Sequence, residues 1–111
     1  MEELKLLCEK LLAMGPKKVV ITGIESSDQI TTALYEDSFQ MIQQEKISPS
    51  RPGTGDIFIS IVSALLMRDF SLFDAVKAAT SFIEICLKNS RGIPILEGVN
   101  LENHLHLLTD L

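Results

Sequence analysis

Apolar and polar positions along this chain follow two rhythms, and the points where one gives way to the other mark its elements. Residues 2 to about 14 keep the helical rhythm. Leu4, Leu7, Cys8 and Leu11 recur on one face, and Glu2, Glu3, Lys5, Glu9 and Lys10 fall elsewhere. The acids come early and Lys10 late, as the helix dipole favours. Gly15 and Pro16 then stop the helix. In residues 17–24 the rhythm disappears, because Val19-Val20-Ile21 is an unbroken β-branched run. Such a run predicts a strand covered on both faces, as in a parallel sheet. Helix, turn and strand make half of an α/β crossover unit without its earlier strand. The expectation is a chain that starts part-way through a larger fold.

Residues 29–36 switch to a two-residue alternation, Ile30, Thr32 and Leu34 against Thr31, Ala33 and Tyr35. A second extended segment covers 39–47, and Asp37-Ser38 makes a tight connection between the two. An antiparallel hairpin follows, with the glutamines and charges of 40–46 on a solvated face or a sheet edge. Residues 48–52 are a loop by composition. From about 55 to 67 the helical rhythm returns, with Ile57, Phe58, Ile61, Val62, Leu65 and Leu66 on a wide apolar face that predicts a central helix. After the break at Arg68-Asp69-Phe70, Ser71 and Asp74 form a capping pair for a third helix, 72 to about 88. Its stripe is Val76, Ala79, Phe82, Ile83 and Cys86, and Ala75, Ala78 and Ala79 allow close packing. An extended connector over 92–98 and a last helix over 101–109, capped by Asn100, complete the reading. His104 and His106 stand two apart, on different sides of that helix, which makes them a poor metal pair.

Composition narrows the class. At 111 residues the chain is long enough for one small domain with a core, and 46% hydrophobic against 23% charged residues fits a globular one. A net charge of −5 argues against a basic face for nucleic acid or anionic membranes, but a local phosphate site built from backbone amides needs no positive charge. Cys8 and Cys86 lack metal spacing and read as buried free thiols. No apolar run is long enough to span a bilayer, and the acidic start has no signal-peptide pattern. The cytoplasm is the expected location.

The candidate chemistry lies in Gly53-Thr54-Gly55-Asp56, which opens the second helix. Glycines at a helix start let amide N–H groups approach an anion at the positive end of the dipole. An acid beside them can take a proton while those amides hold moving negative charge, which suits phosphoryl transfer. Taken alone, the four residues fit a Pro-Gly turn with ordinary first-turn capping better than they fit a site. Thr22-Gly23, at the carboxyl end of the first strand, is either a ligand edge or a simple exit turn.

The longer context resembles the C-terminal part of the pyridoxal kinases, a branch of the ribokinase-like family. The resemblance runs from Gly15-Pro16-Lys17-Lys18-Val19-Val20-Ile21-Thr22-Gly23 through Gly53-Thr54-Gly55-Asp56-Ile57-Phe58 and the Ser71-Leu72 to Phe82 helix to Glu97-Gly98-Val99 and Glu102. Sugar kinases of that superfamily more often carry Gly-Ala-Gly-Asp. The resemblance implies an α/β fold: the C-terminal portion of a ribokinase-like three-layer architecture, with a small sheet (one buried strand plus an antiparallel hairpin) and about four helices. Residues 1–111 would form a single partial domain. It further implies Asp56 as catalytic base, an anion hole from the backbone of Gly53, Thr54 and Gly55, and Thr22 and Gly23 bordering the nucleotide. ATP with Mg²⁺ would be co-substrate, with no metal-ligand set in this chain, and pyridoxal or a related B6 vitamer would accept the phosphate. Hydroxymethylpyrimidine is the alternative acceptor, and a non-catalytic nucleotide- or anion-binding module is the alternative role. Family members are much longer than this chain. Without the rest of the fold, apolar surface would be exposed and the chain would self-associate as a dimer or homo-oligomer.

Overall fold

The computed structural model describes residues 2–47 and 53–89. The expected connector at 92–98, the last helix at 101–109 and both histidines lie outside the described residues. The chain divides into two compact units, Met1–Lys46 and Ile47–Leu111.

In the first unit a helix, α1 (Glu2–Ala13), precedes three strands, β1 (Val19–Glu25), β2 (Gln29–Tyr35) and β3 (Phe39–Glu45). The strands form one antiparallel sheet in the order β1-β2-β3. Gly15, at φ 131°, takes a backbone conformation that a side chain would disfavour, and the chain leaves α1 there. On one sheet face Cys8 of α1 packs with Val19 and Ala33, and Leu11, Leu12, Ile21, Ile24, Tyr35, Phe39 and Met41 close around them. Lys18 pairs with Glu36 at 3.2 Å and Lys46 with Glu25 at 3.2 Å, cross-strand contacts too exposed to contribute much.

The sheet differs from the sequence expectation at β1. The β-branched run predicted a strand covered on both faces in a parallel arrangement, yet β1 runs antiparallel to β2 and only Val19 is buried. The cause is the connection. Residues 26–28 are far too few for a parallel crossover, and Ser26 N–H donates to Gln29 C=O at 2.9 Å to turn the chain straight back. The strand buried through its middle is β2, at Thr31, Thr32, Ala33 and Leu34.

The second unit pairs α2 (Thr54–Met67) with α3 (Leu72–Lys88). Phe58, Ile61, Val62 and Leu65 of α2 are buried, as are Leu72, Ala75, Val76, Ala79, Phe82 and Cys86 of α3. The predicted stripes therefore hold, with Ile57, Leu66 and Ile83 half-buried at their margins. The turn between the helices is a Schellman closure. Phe70 N–H donates to Leu65 C=O and Asp69 N–H to Leu66 C=O, each at 3.1 Å, and Asp69 sits left-handed at φ 66°. Ser71 then caps α3, its hydroxyl accepting from Asp74 N–H at 3.1 Å as the pairing predicted. Among the described residues no helix is long and apolar enough to cross a membrane.

Two substitutions test this turn. Asp69→Gly removes the cost of a side chain at positive φ and should raise unfolding stability by about 0.5–1 kcal/mol. Ser71→Ala should lower it by about 1 kcal/mol. Urea midpoints for the two variants beside the parent chain check both signs.

Candidate functional site

The start of α2 is set by one residue without a side chain. Gly53 has φ 90° and ψ −7°, in the left-handed region, and its carbonyl accepts the first helical bond from Ile57 N–H at 3.1 Å. A β-carbon there would strain the backbone. The sharp entry leaves the N–H groups of Thr54, Gly55 and Asp56 in the first turn, where a helix offers them no carbonyl partner. Among the described residues no side chain caps this end. The result is a short row of amide donors at the positive pole of a 14-residue helix.

Gly55 and Asp56 complete the arrangement. Gly55 is already helical, so φ does not demand glycine, and a β-carbon there would meet nothing within 4 Å. Packing among the described residues therefore does not explain it, and its effect is to keep the surface before the helix bare. Asp56 is exposed in the first turn, and its carboxylate has no hydrogen bond or ion pair among the described residues.

Thr22 and Gly23 lie on β1 and form a β-bulge. Between the pairs Ile21↔Ala33 and Ile24↔Thr31, two residues of β1 face the single residue Thr32. Gly23 takes φ 76° there, and both bulge residues are exposed. The simple exit turn is thus replaced by a kink within the strand, which continues to Glu25. Thr22 Oγ1 lies 3.4 Å from Thr32 Oγ1. Thr32 was not singled out from sequence. Its one signal was a second threonine in the following strand, and only the pairing register brings it opposite the bulge.

Cys8 and Cys86 are both buried and not joined in a disulfide, as expected. Burial pushes both thiols up, and Glu9 adds to the effect at Cys8. Neither is a poised nucleophile. Among the described residues no group of three or more His, Cys, Asp or Glu side chains could hold a metal ion.

Comparison with known proteins matches this geometry to a family. The phosphomethylpyrimidine kinase family model matches residues 1–101. The hydroxymethylpyrimidine/phosphomethylpyrimidine kinase of Aquifex aeolicus is 31% identical over 96 residues, 84% of this chain and 38% of that protein. A protein of the phosphomethylpyrimidine kinase type from Bacteroides thetaiotaomicron superimposes with a TM-score of 0.92 at 31% identity, covering 97% of this chain and 39% of that one. A second crystal form of it, solved with pyridoxal, gives 0.88 at 30% identity, over 97% and 41% of the two chains. The pyridoxal kinase of Lactobacillus plantarum shares the fold, with a TM-score of 0.85 at 21% identity over 96% of this chain and 41% of that one. The α/β fold is thus that of the ribokinase-like class. Within that class, the chain belongs to the phosphomethylpyrimidine kinase family. It spans less than half the length of these relatives.

The site yields two predictions. Gly53→Ala should destabilise the chain by about 1–2 kcal/mol through its left-handed backbone, whereas Gly55→Ala should stabilise it by up to about 1 kcal/mol through helix propensity. Denaturant titration separates the two glycines. The raised thiols give a pH effect. A group whose pKa is higher when folded contributes stability that is whole below its unfolded value and is lost as pH climbs through the folded one. Stability should therefore fall above the ordinary thiol range, and Cys8→Ser with Cys86→Ser should flatten that alkaline slope in pH-resolved melting.

Proposed function

We propose that this chain carries the phosphoryl-transfer end of a kinase that moves the γ-phosphate of ATP onto a hydroxymethyl group of a heteroaromatic vitamin precursor, pyridoxal or a hydroxymethylpyrimidine. The observation that carries the reading is Asp56 standing exposed behind the left-handed Gly53 at the first turn of α2, in a chain of this family. Asp56 takes the proton of the acceptor hydroxyl as its oxygen bonds to the γ-phosphorus. The bond from that phosphorus to the bridging oxygen breaks, and ADP leaves with the electron pair. The N–H groups following Gly53 hold the charge on the transferring group. Thr22 and Gly23 border the nucleotide.

Magnesium is the family's expected companion of ATP. It binds largely through phosphate oxygens and water, with one or two carboxylates. The described residues do not supply a cage for it, and no step above runs through it.

The two acceptors share a hydroxymethyl group on a six-membered aromatic nitrogen ring. The Aquifex relative is named for the pyrimidine, and the Bacteroides protein was solved with pyridoxal. Self-association belongs to the same reading, supported by exposed apolar side chains at Leu6, Met14, Ile59 and Met67. Light scattering at rising concentration should show a mass above that of one chain, and a monomer throughout would count against it.

The experiment is ATP turnover with each acceptor, by the purified chain and by the chain joined to the part of the Aquifex relative that it does not span. Asp56→Ala should cut turnover about 10²–10⁴-fold and leave ATP affinity nearly unchanged. Turnover that survives in the variant removes Asp56 as base. Protection of the 54–56 amides from hydrogen exchange by nucleotide, with no phosphate transferred by either protein, would make the chain a binding module instead.

A further inference from the structure

Thr32 sits in the buried middle of β2 and is 2% exposed. Its hydroxyl lies 3.4 Å from that of Thr22 and has no other partner among the described residues. The separation is longer than the roughly 3.0 Å upper limit usual for a hydroxyl pair, so the contact is a weak one. The geometry alone leaves the direction of the bond open, and burial favours one of the two. Were Thr22 the donor, the Thr32 proton would be left in the interior without an acceptor, an unfavourable state. Thr32 therefore donates, and Thr22 accepts. A hydroxyl has one proton and two lone pairs, so exposed Thr22 keeps its own proton to give outward. The hydroxyl behind it polarises that proton further. Beside it, Gly23 leaves open space, since a β-carbon there would meet nothing within 4 Å.

We propose that Thr32 is a positioning residue: through the bulge it holds the Thr22 hydroxyl as a hydrogen-bond donor aimed at an oxygen acceptor of the nucleotide, a phosphate or ribose oxygen. The inference rests on the reading of Thr22 and Gly23 as the nucleotide edge and adds a residue and a direction to it. An oxygen acceptor is preferred because an accepting Thr22 keeps its proton to present outward.

Calorimetric titration of the purified chain tests this with three probes: ATP, adenosine and inorganic tripolyphosphate. Thr32→Val should weaken ATP about three- to tenfold. Thr32→Ser, which keeps the hydroxyl, should bind within about twofold of the parent. The double variant Thr22→Val/Thr32→Val should bind no more weakly than Thr22→Val alone, because Thr32 acts through Thr22. A loss that repeats with tripolyphosphate assigns the acceptor to phosphate, and one that repeats with adenosine assigns it to the ribose. Should Thr32→Val fail to fold, Thr32→Ala removes the hydroxyl without added bulk and carries the same expectation. ATP affinity unchanged in the hydroxyl-free variant, or losses that add in the double variant, overturns the proposal. If Asp56→Ala still abolishes phosphate transfer in that case, the kinase reading stands and this inference alone falls. A parent chain that binds no ATP, either alone or joined to the Aquifex part, overturns both.

Discussion

The positive φ at Gly53 is the constraint on which the rest of the site depends. A helix that starts from an ordinary N-cap spends its first donors on a serine or aspartate side chain, as α3 does with Ser71. A helix that starts from a left-handed glycine has no such side chain, and its first amides stay unspent. The chain contains both solutions, one at the head of each helix of the second unit. The closed start is at α3. The open one is at α2, where Asp56 stands. Local stability is forgone at Gly55, where alanine would favour the helix, and no packing among the described residues recovers it. Under the proposed function, that imbalance serves a ligand outside the chain.

Much of this was legible in the sequence, for a reason common to the legible parts. The limits of α1, β2, β3, α2 and α3 follow from periodicity and stop residues that act within a few positions of one another. Ser71 and Asp74 announce their own bond three residues apart. The illegible parts depend on partners far along the chain. Val19-Val20-Ile21 is equally compatible with parallel and antiparallel neighbours, and only the short link at 26–28 decides. The bulge at Thr22 and Gly23 exists only relative to Thr32. No local pattern distinguishes a glycine that ends a strand from one that kinks it.

Exposure along α1 shows the same limit on a helix. Its apolar face was read correctly in direction, with Cys8 fully buried against Val19 and Ala33. Yet Leu7, placed on that face by its spacing, is 45% exposed, and Leu6 is 53% exposed. Periodicity reports which side of a helix is apolar. It does not report how wide a surface the neighbouring sheet can cover, and three strands cover only the centre of this one.

The Schellman closure between α2 and α3 has a consequence for the order of events during folding. From Leu65 to Asp74 each turn-forming bond spans five residues or fewer, and the two helices then meet as sequence neighbours. Contacts so close along the chain close quickly, because little loop entropy stands against them. The amide row at the head of α2 therefore belongs to a hairpin of helices that can assemble on a helical timescale. The cradle exists as a by-product of that early step, and no slow, long-range search is needed to make it.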